Sequence, residues 1–64
     1  MRTSEVIKRL EADDWYLHRT KGSHKQFKHP TKLGKVTVPE HKGDIPTGTL
    51  RSIFKQAGWN WKLR

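Results

Sequence analysis

A chain of 64 residues without a single cysteine has to hold its fold by packing alone. A domain of that size buries only about 60% of the surface its unfolded chain exposes. Small folds that fall short of a sufficient core usually add disulfides or a thiolate-bound metal. Neither is available here, and the apolar share is 31%, so a handful of Leu, Ile, Val, Phe and Trp side chains must form one small interior. The expectation is a single domain over residues 1–64 of modest stability, with residues 58–64 a Trp-rich tail of no assignable pattern. Lack of cysteine suits a reducing compartment. No apolar run approaches the roughly 20 residues that span a bilayer, and Met1 leads into polar, helix-compatible sequence rather than a signal peptide. A cytoplasmic chain with no membrane contact is expected.

Fourteen Lys and Arg against six Asp and Glu leave a net charge of +8, at the upper limit of what solubility alone calls for. The excess is local. Between Arg19 and Lys42 the one acid is Glu40, while Lys21, Lys25, Lys28, Lys32 and Lys35 crowd the same stretch. Polyanions are the partners such a field attracts. A membrane-surface peptide would carry these charges on an amphipathic helix, whereas this segment reads as strands and turns.

Thr3 or Ser4 can cap a first helix that runs to about Ala12, with Val6, Ile7 and Leu10 on one face and Asp13-Asp14 ending it. Trp15 to Arg19 alternate as a half-buried strand, Thr20-Lys21-Gly22-Ser23 forms a reversal, and a second strand covers about His24 to His29 before Pro30. Leu33-Gly34 turns the chain again, Lys35 to Val38 form a third strand, and Pro39 closes the sheet. After a polar loop, Thr47 is the expected cap of a second helix. There Leu50, Ile53, Phe54 and Ala57 follow the i, i+3, i+4, i+7 spacing, and Gly58 ends it. The order α-β-β-β-α implies an α+β fold, a three-stranded antiparallel meander with both helices on one face. Strand parity then points Trp15, Leu17, Phe27, Val36 and Val38 inward. Tyr16, His18, His24, Gln26, Lys28, Lys35 and Thr37 point outward, and Lys25 shares the inward parity with its stem along the sheet edge.

The open face is therefore polar, cationic and histidine-bearing. The sequence offers no carboxylate pair with a plausible catalytic geometry, no Walker-type phosphate loop and no helical HExxH motif. Histidine among lysines suits attack of an RNA 2′-hydroxyl on its neighbouring phosphate, which needs a group titrating near neutrality and fixed cations but no metal or other cofactor. His24 follows Gly22-Ser23, where a phosphate can approach the backbone, and His18 is expected on the adjacent strand with the same facing. His29 and His41 read as loop residues. Lys21, Gly22, Ser23, Lys25, Lys28 and Lys35 are the candidate RNA contacts. The residues alone leave His24 open between catalysis and phosphate contact. Histidine spacing without cysteine does not build a metal site, and Trp59 and Trp61 suit packing better than base stacking.

The segments Lys21-Gly22-Ser23-His24-Lys25-Gln26-Phe27-Lys28-His29-Pro30, Val36-Thr37-Val38-Pro39 and Pro46 to Gly58 together resemble the HicA toxin family over nearly the whole chain. The resemblance implies a double-stranded-RNA-binding-domain-like fold and mRNA interferase activity. It also implies a HicB antitoxin from the same operon that supplies any contact with operator DNA. It makes His24, in the Gly-Ser-His element, the catalytic residue. Lys25 stands where the family often has a second histidine, Asp14 replaces a frequent glycine, and Trp59 to Arg64 fall beyond the matched part. A non-catalytic module for double-stranded RNA and a purely protein-binding subunit are the competing readings.

Overall fold

The computed structural model describes residues 1–63. Its order is α1 (Thr3–Ala12), β1 (Tyr16–Lys21), β2 (His24–Lys28), β3 (Val36–Pro39) and α2 (Thr47–Ala57), followed by a 3-10 turn at Trp61–Leu63. The strands form one antiparallel sheet in the order β1-β2-β3. This is the α+β, α-β-β-β-α arrangement expected from the sequence.

The N-cap of each helix lies one residue before the first cap position expected from the sequence. Arg2 is the N-cap of α1, with its carbonyl accepting from the Val6 N–H at 3.1 Å and its own N–H donating to Glu5 Oε1 at 2.8 Å. Thr3 and Ser4 thus lie within the first turn. Pro46 plays the same part for α2, accepting from the Leu50 N–H at 2.9 Å, so Thr47 is the first helical residue. Proline just outside a helix is preorganised for this role, since it has no N–H to leave unpaired.

The two helices end alike. After α1, the Asp14 N–H donates to Glu11 O and the Trp15 N–H to Leu10 O; after α2, Gly58 donates to Lys55 O and Trp59 to Phe54 O. These are paired Schellman closures, which require a left-handed residue. Gly58 has φ +75° and Asp14 has φ +68°. The left-handed position explains why glycine would be favoured where Asp14 stands; a short polar side chain is among the few that tolerate it.

Each closure is followed by a tryptophan, and both indole N–H groups reach one carboxylate. Trp15 Nε1 donates to Asp13 Oδ2 at 3.1 Å and Trp59 Nε1 to the same oxygen at 3.0 Å. Lys32 Nζ adds a third bond at 2.8 Å and also donates to Ala57 O at 3.3 Å. The tail called patternless from sequence is therefore structural. Trp59 and Trp61 pack edge-on against Phe54, with ring centroids 5.1 and 5.2 Å away. Arg64 lies outside the described residues.

One contiguous core joins Val6 and Leu10 of α1, Trp15, Phe27 of β2, Val36 and Val38 of β3, and Leu50, Ile53, Phe54 and Ala57 of α2. Ile45, in the loop read as polar, is also buried, where its N–H donates to Met1 O at 2.8 Å. Leu17 corrects the parity argument. Its Cα partner is Phe27, so it shares the inner face, yet it is 51% exposed. The helices lie against β3, leaving the underside of β1 uncovered. No described helix is long and apolar enough to cross a membrane.

The three donors hold the Asp13 carboxyl down at about 2, chiefly through Lys32 and then Trp59. A lowered folded-state value contributes stability above the ordinary carboxylate pKa, and that contribution is lost as pH falls toward 2. Because Asp13 and Lys32 are more than a third exposed, the contribution is about 1 kcal/mol after solvent screening. Asp13→Asn is expected to destabilise the chain at pH 7 and to flatten the stability profile between about pH 4 and 2, as read by denaturant titration.

Candidate active site

The β1–β2 reversal is tighter than the sequence suggests. Thr20 and Lys21 belong to β1, and only Gly22 and Ser23 form the turn. Gly22 has φ +60° while Ser23 stays at negative φ, the pattern of a two-residue II′ hairpin in which the first position needs glycine. His24 is the first residue of β2 and is exposed. The Ser23 carbonyl accepts from the Glu40 N–H at 2.7 Å, tying the hairpin to the end of β3.

Cross-strand register sorts the residues around His24. Lys21 and Pro39 are its direct partners, Arg19 and Thr37 flank Gln26, and Tyr16 faces Lys28. These residues share the outer face. His18 does not pair at all: the register steps from Leu17↔Phe27 to Arg19↔Gln26, which makes His18 the extra residue of a β-bulge. His18, expected on the adjacent strand with the same facing as His24, thus has no partner in the ladder, and Lys21 is the β1 residue opposite His24. Gln26 is half-buried at the centre of this face, and its Oε1 has no hydrogen-bond partner.

The remaining candidates fall elsewhere. Lys25 lies opposite Val38 on the helix side of the sheet, where its Nζ meets Glu40 Oε1 at 3.2 Å. Lys35 is exposed just before β3, which begins at Val36 rather than at Lys35. His29 is a tether: its Nδ1 accepts from the Thr31 and Lys32 N–H groups, both at 3.1 Å, so Nε2 carries the proton and donates to Asp13 O at 2.7 Å. Its ring also meets Trp15 edge-on at 5.1 Å. His41 bonds Lys42 O from a surface loop. Among the described residues, no group of three His, Cys, Asp or Glu is arranged to hold a metal ion.

Charge is segregated as sharply as geometry. The six acids are Glu5, Glu11, Asp13, Asp14, Glu40 and Asp44, none of which lies on β1, on β2 or in the turn between them. Lys25 and Lys32 are ion-paired, whereas among the described residues Arg19, Lys21 and Lys28 have no ion-pair partner. The His24 face therefore presents an exposed imidazole among uncompensated cations, an arrangement suited to a phosphodiester.

A family model for the HicA toxin of bacterial toxin–antitoxin systems matches residues 3–59. The chain belongs to the HicA toxin family. No curated protein is significantly similar to it. Membership makes this chain the toxin of a toxin–antitoxin module, with an antitoxin as its partner. The HicA match runs from α1 through both Schellman closures and ends on Trp59, the residue that bonds Asp13.

His24 and His29 should separate on stability. His29→Ala leaves Asp13 O and two backbone N–H groups without their partner and is expected to cost about 1–2 kcal/mol. His24→Ala removes an exposed side chain and should stay within about 0.5 kcal/mol of the parent in the same denaturant titration.

Proposed function

We propose that this toxin is a metal-independent endoribonuclease of the mRNA interferase type, acting on mRNA through His24. The observation that carries the reading is the Gly22-Ser23-His24 element in a chain of the HicA family, with His24 exposed opposite Lys21. Imidazole is the side chain suited to moving a proton near neutral pH. The 2′-oxygen of a ribose attacks the adjacent phosphorus as its proton is removed. The bond from phosphorus to the 5′-oxygen breaks, and a proton returns to that oxygen. The products are a 2′,3′-cyclic phosphate and a 5′-hydroxyl. His24 serves as the general acid or base of this exchange.

Lys21 is the group to stabilise charge on the non-bridging oxygens, because direct cross-strand partners stand only about 5 Å apart at Cβ. Backbone approach at Gly22 and Ser23 and the cation of Lys28 extend the contact along the strand. Lys35 and Lys25 are peripheral to it, the latter through its ion pair with Glu40. The antitoxin is of HicB type; it covers the cationic face in the cytoplasm and contributes any operator contact itself.

Incubation of the purified chain with RNA and a chelator tests the proposal. Cleavage with 2′,3′-cyclic phosphate ends, reduced at least a hundredfold by His24→Ala, is expected. Intact RNA bound with steep salt dependence would instead fit a non-catalytic binding module, and undiminished cleavage by His24→Ala would remove His24 from the chemistry.

A further inference from the structure

The bulge at His18 has a geometric consequence for the His24 face. In a regular ladder continuing from Leu17↔Phe27, His18 would stand opposite Gln26, Arg19 opposite Lys25 and Thr20 opposite His24. The extra residue moves every later position by one. Arg19 instead faces Gln26, Thr20 faces Lys25 and Lys21 faces His24. A shift of one residue exchanges the two faces of a strand, so the bulge turns Arg19 and Lys21 outward and sends Thr20 to the helix side. Bulges beside functional sites characteristically re-aim side chains in this way.

We propose that Arg19 is a substrate-binding residue of this site, gripping the RNA phosphate next to the one at His24. The inference deepens the ribonuclease reading and rests on it for the identity of the polyanion. Arg19 is the diagonal neighbour of His24, with Cβ separations in that relation of about 7–8 Å. That offset keeps its guanidinium beside, and not on, the reacting phosphate, while Lys21 occupies the direct position. Arg19 is exposed and has no acidic partner among the described residues, and no carboxylate side chain lies on β1 or β2 to compete with a ligand. A planar guanidinium offers two parallel N–H donors to phosphate oxygens, which a lysine at the same place does not.

Net charge alone cannot produce this, so the test moves the arginine without removing it. In a His24→Ala background that leaves RNA intact, binding of a short single-stranded RNA is measured against salt for four chains. These are the background itself, the double swap Arg19→Thr with Thr20→Arg, Arg19→Gln, and Lys8→Gln on the exposed face of α1. The swap and Arg19→Gln should each lose roughly tenfold in affinity near 0.1 M salt and lower the salt slope by about 0.7. Lys8→Gln should change little. Binding by the swap equal to the background overturns the inference; if circular dichroism shows that the swap does not fold, an Arg19→Gln loss no greater than that of Lys8→Gln does so. Cleavage by the parent chain is scored separately. Arg19-dependent binding without cleavage removes the nuclease reading and leaves this inference standing. Arg19-independent binding with His24-dependent cleavage removes only the inference.

Discussion

One carboxylate oxygen organises this molecule. Asp13 Oδ2 receives the indole N–H of Trp15, the indole N–H of Trp59 and the ammonium of Lys32. The first leads from the end of α1 into the sheet, the second closes α2, and the third lies in the crossing between β2 and β3. The carbonyl of the same residue accepts from His29, which in turn bonds the backbone of Thr31 and Lys32. A chain with a small core and no disulfide gains from one acceptor that satisfies donors from three segments, because each bond also fixes how the others approach. The two left-handed closures at Asp14 and Gly58 precede the two tryptophans, whose indoles converge on Asp13.

That clamp sits on one side of the sheet, and its consequence appears on the other. With both helices drawn against β3, the inner face is filled by Phe27, Val36 and Val38, and among the described residues neither helix packs on the outer face or along β1. The acids lie in the clamp, on α1 and its closure at Asp14, and in the loop after β3. Among the described residues, Arg19, Lys21 and Lys28 are left without an ion-pair partner on β1 and β2, around His24. Fold and electrostatics thus separate a structural pole from a cationic pole within 64 residues. Two of the four histidines fall on opposite poles, His29 held in one tautomer at the clamp and His24 exposed at the turn.

Much of this was readable in the sequence because it depends on local rules. Helical spacing at Leu50, Ile53, Phe54 and Ala57, alternation in Val36-Thr37-Val38, and Gly22 in the reversal each follow from neighbours along the chain. What escaped depends on distant partners. The bulge at His18 leaves no mark in alternation, since either facing of Arg19 is compatible with an exposed edge strand, and only the register against β2 reveals it. Leu17 has the right parity and the wrong burial because helix placement under the sheet is a tertiary choice. The role of Trp59 needed residues 13, 32 and 59 to meet. Of the candidate site residues, His24, Lys21, Gly22 and Ser23 lie together at the hairpin. Lys25 was separable from them by parity alone, and the facing of Arg19 was hidden by the bulge.

The central claim is that the outer face of β1 and β2 is where this toxin meets RNA. The most direct measurement is an amide chemical-shift map of the 15N-labelled His24→Ala chain titrated with a short single-stranded RNA. The account predicts the largest perturbations at Arg19, Lys21, Gly22, Ser23, Gln26 and Lys28, with α1 and α2 nearly silent. Perturbations concentrated on the helices, with those six amides unmoved, would contradict it.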